Sequence, residues 1–175
     1  GNMIIGESGI GKDTIGLLKE KKLSALKAVE IIKEEEANFN IRQVNEFTYD
    51  HYQELLPDLL KPIFYAAVYN HLITQEALTE YLKKTLNLSE LGRLMNAHHD
   101  ILRDKLKITK PLIDDMIHAS RKAGAYGAKI VGSGGGGCIV ALVDDENKDS
   151  VINALKEAGA KDSYEVHSVK GAYVY

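Results

Sequence analysis

The sequence has 175 residues, of which 45% are hydrophobic and 27% charged, an ordinary composition for a globular domain with its own core. Its 25 acidic and 22 basic residues are mixed along the chain and leave a net charge of −3, which argues against a nucleic-acid-binding surface or a polybasic membrane patch. One cysteine cannot form a disulfide framework, and no signal-peptide pattern or long apolar stretch is visible, so we expect a cytoplasmic protein that binds neither nucleic acid nor membrane.

The first part of the chain is predicted to be a short strand followed by a long helix. Residues 3–5 are apolar and lead into a glycine-containing segment, and Asp13 is a suitable N-cap for a helix over residues 14–37. Five apolar side chains share one side of that helix: Leu18, Ala25, Leu26, Val29 and Ile32. We expect this side to pack against the core.

Four more helices are predicted before the pattern changes. Their expected ranges are residues 50–60, 62–85, 89–106 and 110–123. Residues 38–49 are predicted to be a connection that contains a short extended stretch at residues 41–44. Thr109 is the expected cap of the last helix, and Gly124 supplies its C-terminal stop.

The last third of the chain contains most of the predicted strands. They cover residues 127–132, 137–143, 163–169 and 172–175, with a helix over residues 146–158. Strands on both sides of a long helical insertion predict an α+β fold of two layers with a mainly antiparallel sheet. No internal repeat or low-complexity linker divides the chain, so we predict that residues 1–175 form a single domain.

A run of small residues lies between two of these strands. It consists of Gly132, Ser133, Gly134, Gly135, Gly136 and Gly137, and Cys138 follows it. Glycine loses more conformational entropy on folding than any other residue, and a hairpin turn needs only one or two glycines. The alternative is a wide hairpin, but four consecutive glycines favour a backbone that lies against a bulky neighbour and presents amide N–H groups to an anion.

Residues 6–13 resemble a phosphate-binding P-loop without completing one. The spacing G-x-x-x-x-G-K is present, after a strand and before a helix. However, Asp13 occupies the position where the motif needs a Ser or Thr hydroxyl for Mg²⁺, and its carboxylate would repel phosphates. The chain also lacks the strand–helix alternation of a parallel sheet, so we do not predict a P-loop here.

The remaining reactive residue types do not form a recognisable catalytic or metal site. His98 and His99 are adjacent and point to different sides of a helix, so they cannot chelate one metal ion as an i, i+4 pair would. His98 falls on the apolar side of its helix and is expected to be a hydrogen-bonded core residue, and Cys138 a small buried one. We predict no metal ligand and no catalytic residue within this chain.

Residues 124–143 resemble the third motif of the GHMP small-molecule kinases, a superfamily that includes galactokinase, homoserine kinase, mevalonate kinase and phosphomevalonate kinase. Residues 94–104 contain an H-x-x-L-R-D run and residues 108–114 a P-x-x-D helix start, and both are similar to galactokinase-like members. Residues 7–14 resemble the segment that opens this half of those enzymes. The resemblance therefore extends over nearly the whole chain.

The resemblance implies a ferredoxin-like C-terminal domain with extra helices, from which the N-terminal ATP-binding half is absent. The full enzyme would be a galactokinase-like phosphotransferase that moves the γ-phosphoryl of ATP, with Mg²⁺, to a sugar hydroxyl, and this chain alone is expected to be inactive. Residues 132–137 are expected to form the phosphate-side wall of the cleft. Arg103 and Asp104 are expected to line or brace that cleft, the alternative being a solvated helix end.

Two other interpretations remain open. A mevalonate kinase-type enzyme of the same superfamily would phosphorylate an isoprenoid-precursor alcohol instead of a sugar. A non-catalytic ligand-binding or regulatory module would keep the fold without the reaction. No feature of the sequence indicates an oligomeric state.

Overall fold

The computed structural model describes residues 1–11, 14–167, 169 and 171, and within them it contains four strands and six α-helices. The strands are β1 (Asn2–Glu7), β2 (Gly127–Ile130), β3 (Cys138–Val143) and β4 (Asp162–Val166). The helices are α1 (Thr14–Glu35), α2 (Tyr49–Glu54), α3 (Lys61–Tyr81), α4 (Leu88–Asp104), α5 (Pro111–Lys122) and α6 (Lys148–Glu157). The predicted cap Asp13 and the predicted strand over residues 172–175 lie outside the described residues. Across the part of the chain that is described, each helix is too short or too polar to cross a membrane.

The four strands form one antiparallel sheet in the order β2-β3-β1-β4. Ile4 of β1 lies opposite Ala141 of β3, and Ile139 of β3 lies opposite Ile130 of β2. These four side chains point to the same face, where α5 and α6 cover them and leave no exposed surface. The predicted α+β fold, with an antiparallel sheet and a long helical insertion between β1 and β2, is confirmed.

Helix α4 covers the free edge of β2. The side chain of Asn96 donates from Nδ2 to the carbonyl O of Tyr126 at 3.2 Å, and its Oδ1 accepts from the N–H of Ala128 at 3.0 Å. The helix can come this close because two glycines face each other: a Cβ on Gly127 would lie 2.1 Å from the carbonyl O of Gly92. Backbone groups that an edge strand would otherwise leave unpaired are thereby satisfied.

Helices α1, α2 and α3 form a second core, which is aromatic. Phe64 of α3 is 1% exposed, and its ring stacks on that of Tyr49 with centroids 5.6 Å apart. The ring of Phe39 is tilted against that of Phe64, with centroids 6.4 Å apart. The core under the sheet is built from aliphatic side chains and Met116 among the described residues. Helix α4 packs against both α3 and β2 and so joins the two cores.

Two local predictions in the helical part are wrong because side chains make different hydrogen bonds. Residues 41–44 are not extended: Ile41–Gln43 is a 3₁₀ helix, since the side chain of Asn40 accepts from the N–H of Arg42 at 3.1 Å. Thr109 does not cap α5. Lys110 is the residue at the cap position, and the Thr109 hydroxyl donates instead to Asp114 Oδ2 at 3.0 Å.

The predicted apolar face of α1 is also partly wrong. Leu18 and Leu26 are 47% and 54% exposed. The packed face instead runs through Leu17, Ala28 and Ile32, the last two of which are almost fully buried. Because α1 packs mainly against α3, a narrow stripe of side chains is enough to hold it.

Candidate functional site

The loop between β2 and β3 is built from glycines because its backbone requires them. The five glycines at positions 132, 134, 135, 136 and 137 have φ values between +75° and +145°, a region that other residues rarely adopt. Only Ser133 carries a side chain. We call residues 132–137 the glycine loop.

One side of the glycine loop is bound by the segment that follows β1. The backbone N–H of Ser8 and its hydroxyl both donate to the carbonyl O of Gly137, at 2.9 and 2.6 Å. The N–H of Gly137 donates back to the carbonyl O of Ile10 at 3.0 Å. A Cβ on Gly136 would lie 2.8 Å from the carbonyl oxygens of both Ile10 and Gly11, closer than a real Cβ approaches an oxygen. Glycine is therefore required at position 136 for two reasons: the positive φ of the backbone and the close approach of the two carbonyl oxygens.

The other side of the loop lies on the segment between α4 and α5. The N–H of Gly135 donates to the carbonyl O of Ile108 at 2.7 Å, and a Cβ on Gly134 would lie 2.6 Å from the same oxygen. The loop is thus a backbone structure held between two other backbone segments of this chain. The close approach that the sequence suggested is present, and the neighbours in contact belong to the same chain.

The N–H groups of the loop glycines differ in their hydrogen bonding. Gly135 and Gly137 use their N–H groups within the chain, as described above. Gly134 and Gly136 are buried, and across the described residues their N–H groups donate to no acceptor. Backbone N–H groups of a glycine-rich loop are donors of the kind that bind anions in proteins.

Arg103 and Asp104 lie at the C-terminal end of α4 and pair with each other. Arg103 donates from Nε and Nη2 to the two carboxylate oxygens of Asp104, both at 2.8 Å, and its Nη1 lies 3.1 Å from Asp100. The guanidinium holds the pKa of Asp104 below its usual range. The two side chains are 37% and 51% exposed, and across the described residues neither bonds to the glycine loop.

The buried histidine of α4 is His99, and the expectation for His98 is wrong. His99 has no exposed surface, whereas His98 is half-buried in an apolar groove between α3, α4 and the sheet. Burial, and to a smaller extent the positive charge of Lys129, lower the pKa of His98 to about 4. Helix α4 packs at the edge of β2, and this placement turns His99 rather than His98 inward.

No metal site or nucleophile stands out near the loop. Within the described residues, no three His, Cys, Asp or Glu side chains are grouped so that they could hold a metal ion. Cys138 is partly rather than fully buried. The near-P-loop segment follows a strand that is antiparallel to β3, which differs from the parallel sheet of P-loop proteins, and its Lys12 and Asp13 lie outside the described residues.

The sequence missed the partners of the glycine loop. Ser8, Ile10 and Ile108 act mostly through backbone atoms, which leave little trace in residue type. The pairing of Glu7 with Cys138 does contain the signal, because residues that follow Glu7 must then lie beside residues that precede Cys138. That pairing can be read only once the order of strands is known.

The glycine loop lies in the part of the chain that matches a known protein family. Residues 76–161 match the family described as GHMP kinases C terminal. The match includes α4, α5, α6, β2 and β3, and therefore the whole glycine loop.

Curated relatives include two kinds of kinase. Mevalonate kinase from Thermococcus sibiricus is 38% identical over 106 residues, which cover 61% of this chain and 31% of that protein. Galactokinase from Enterococcus faecalis is 31% identical over 144 residues, which cover 79% of this chain and 36% of that protein. The chain thus spans about a third of the length of the curated relatives it matches.

Solved structures share the fold over nearly the whole chain. Lactococcus lactis galactokinase complexed with galactose has a TM-score of 0.80 at 23% identity, over 94% of this chain and 44% of that one. L. major mevalonate kinase in complex with R-mevalonate has a TM-score of 0.55 at 21% identity, over 94% of this chain and 41% of that one. At these identities the similarity establishes a common fold.

Proposed function

This chain belongs to the GHMP kinases through their C-terminal domain, and we propose that the full-length protein is a galactokinase-like sugar kinase. It would transfer the γ-phosphoryl group of ATP, with Mg²⁺, to a hydroxyl of a small sugar. An N-terminal half outside this chain would supply the ATP-binding loop and the catalytic residues. The present chain would form one wall of the cleft between the halves.

One observation carries the choice of a sugar as the acceptor. The alignment with the Enterococcus galactokinase extends over 79% of this chain, whereas that with the Thermococcus mevalonate kinase extends over 61%. The length of the galactokinase match therefore supports a sugar kinase.

The glycine loop is proposed to lie beside the phosphates of ATP. When bound, ATP would supply the transferable phosphoryl group and the negative charge that the loop faces. Among the described residues the N–H groups of Gly134 and Gly136 donate to no acceptor, and they would donate to phosphate oxygens of such a partner. The absence of side chains at these positions lets a second backbone segment come close. The loop would position the phosphates and exclude water, and it would not itself react.

The described residues would not bind Mg²⁺ by themselves, since they offer no group of three or more ligating side chains. Its ligands would come from outside these residues and from the phosphates. Arg103 and Asp104 are proposed to brace the cleft from the end of α4. Their bidentate pair fixes the orientation of both side chains, although partial exposure limits its contribution to stability to about 1 kcal/mol or less.

A second candidate function is mevalonate phosphorylation. The Thermococcus mevalonate kinase has the higher identity, 38%, over the segment it matches. The non-catalytic alternative, a ligand-binding or regulatory module, has no comparable observation in its favour.

An acceptor panel tests the proposal. Purified full-length protein is incubated with ATP, Mg²⁺ and either one of several hexoses or mevalonate, and ADP release is followed. We expect turnover with a sugar and none with mevalonate. Turnover with mevalonate alone would replace the first candidate by the second, and no turnover with any acceptor would favour a non-catalytic module.

A further inference from the structure

A series of hydrogen bonds connects the end of β2, which precedes the glycine loop, to the segment between α4 and α5, on which the loop lies. Ile130, the last residue of β2, donates its N–H to His99 Nδ1 at 3.5 Å. His99 Nε2 lies 3.3 Å from Asp114 Oδ1, and the hydroxyl of Thr109 donates to Asp114 Oδ2 at 3.0 Å. Thr109 directly follows Ile108, whose carbonyl O holds the Gly135 N–H.

His99 is neutral in this arrangement. Its side chain has no exposed surface, and burial lowers its pKa. The nearby positive charges of Arg121 and Arg103 also lower that pKa, while the carboxylate of Asp114 opposes them. Since Nδ1 accepts from Ile130, the single ring proton lies on Nε2 and is donated to Asp114. The ring therefore connects β2 to α5: it accepts a hydrogen bond from Ile130 and donates one to Asp114.

Asp114 is the centre of the chain of contacts. Each of its carboxylate oxygens accepts one hydrogen bond, from His99 on α4 and from Thr109 in the segment before α5. Asp114 lies in the first turn of α5, where a negative charge is favourable to the helix dipole. The carboxylate therefore fixes residues 108–109 relative to α4 and β2. Ile108 accepts a hydrogen bond from Gly135 of the glycine loop, and Ile130 of β2 lies just before that loop.

We propose that His99 and Asp114 are positioning residues, which hold the glycine loop in place by fixing Ile130 before it and Ile108 beneath it. The inference rests on the proposed function, because it assigns the pair a purpose in placing the loop against the phosphates. The two side chains make hydrogen bonds to residues beside the loop, His99 to Ile130 and Asp114 to Thr109. Their effect passes through the two backbone contacts.

The test compares Asp114→Asn with Asp115→Asn in the full-length protein. Asp115 is the neighbouring carboxylate of the same helix but is exposed, so its substitution is a matched control. In Asp114→Asn the new side-chain amide can accept from only one of the two donors, because its NH₂ group faces the other. A second pair, Thr109→Val and Thr109→Ser, removes or keeps the hydroxyl without disturbing the helix.

Amide hydrogen exchange, read by mass spectrometry, gives a measurement that does not depend on activity. In Asp114→Asn and Thr109→Val we expect peptides covering residues 131–138 to exchange about tenfold faster, while those covering α6 keep their rate. Asp115→Asn and Thr109→Ser should match the unmodified protein. With a substrate that turns over, kcat/KM for ATP should fall at least about tenfold, since small displacements of a positioning group cost this much.

The outcomes separate the two proposals. Faster exchange confined to residues 131–138, with no turnover of any acceptor, supports the positioning inference and contradicts the kinase proposal. Unchanged exchange in the loop overturns the inference, whatever the kinetics. Faster exchange spread over α6 as well also overturns it, since the pair would then only stabilise the core. Should Asp114→Asn fail to fold, Thr109→Val decides by the same criteria.

Discussion

The sheet layer, formed by β1–β4 with α5 and α6, and the helical insertion, formed by α1–α3, are stabilised in different ways. The sheet layer has an aliphatic core and contains glycines that bring backbones within contact. The helical insertion has an aromatic core with rings such as Phe64 and Tyr49 stacked on each other. Among the described residues, the hydrogen-bond partners of the glycine loop come from residues 8–10 and Ile108, outside the insertion.

Backbone contacts hold the candidate site in the sheet layer, whereas packed aromatic side chains hold the helical insertion together. Large side chains tolerate small shifts by changing rotamer, but two backbones in direct contact do not. The family match over residues 76–161 includes the loop and most of the sheet layer and only the last turn and a half of α3. We therefore expect changes in the insertion to alter stability and changes in the loop to alter chemistry.

The largest expected effect is a complete loss of chemistry in the isolated chain. The 175-residue chain should melt cooperatively by circular dichroism, because both regions share α4. It should show no ATP-dependent phosphorylation of sugars or mevalonate, because it spans only about a third of the length of the curated kinases it matches. Measurable phosphorylation by the purified chain would mean that the catalytic groups lie within it.

The next effect should separate stability from function in the insertion. Phe64→Ala removes a ring that is 1% exposed, and we expect the free energy of unfolding in urea to fall by about 3–5 kcal/mol. In the full-length protein the KM for ATP should stay within about twofold. Leu59→Ala, at a side chain 89% exposed, is the control and should leave stability unchanged. A large rise in KM would show that the insertion also shapes the nucleotide site.

A smaller effect should show that the loop is clamped by its neighbours. Gly136→Ala places a Cβ against the carbonyl oxygens of Ile10 and Gly11, whereas Gly159→Ala, also at positive φ, meets only the side chain of Leu112 at 3.2 Å. We expect the first substitution to lower the free energy of unfolding in urea by about 1–3 kcal/mol more than the second. Equal losses would mean that φ alone requires glycine at position 136.

The smallest effect concerns acid stability at the groove between the regions. The pKa of His98 falls from its usual value near 6.5 to about 4 on folding, so the unfolded chain binds a proton first as the pH drops. Stability contributed by neutral His98 is present above pH 6.5 and is lost between pH 6.5 and 4. His98→Gln should reduce the loss measured in urea between about pH 7 and pH 5 by about 1 kcal/mol, after allowance for partial exposure. An unchanged pH dependence would contradict the burial of this ring.

The order of elements could be predicted because it depends on local patterns. Gly124 with φ +107° ends the segment after α5, and the glycine loop lies between two strands as its composition indicated. The need for close contact at the loop also followed from four glycines in a row. These features depend on one residue and its neighbours along the chain.

Tertiary placement could not be predicted in the same way. His98 and His99 lie side by side on α4, and only the position of that helix at the edge of β2 decides which ring is buried. An acidic residue in the first turn of a helix is already explained by the helix dipole. The sequence around Asp114 therefore did not indicate that it also accepts hydrogen bonds from His99 and Thr109. The roles of the three residues depend on the packing of α4 and α5 rather than on their spacing in the sequence.

The central claim, that the glycine loop is the phosphate-side wall of a kinase cleft, is tested most directly by Gly135→Val in the full-length protein. Gly135 has φ +75°, and its N–H holds the loop on Ile108. Steady-state kinetics should be measured together with melting temperature, with Gly159→Val as the control for strain. We predict that kcat/KM for ATP falls at least about tenfold in Gly135→Val and not in the control. Near-normal ATP kinetics in a folded Gly135→Val protein would contradict the claim and leave the loop a simple connection between two strands.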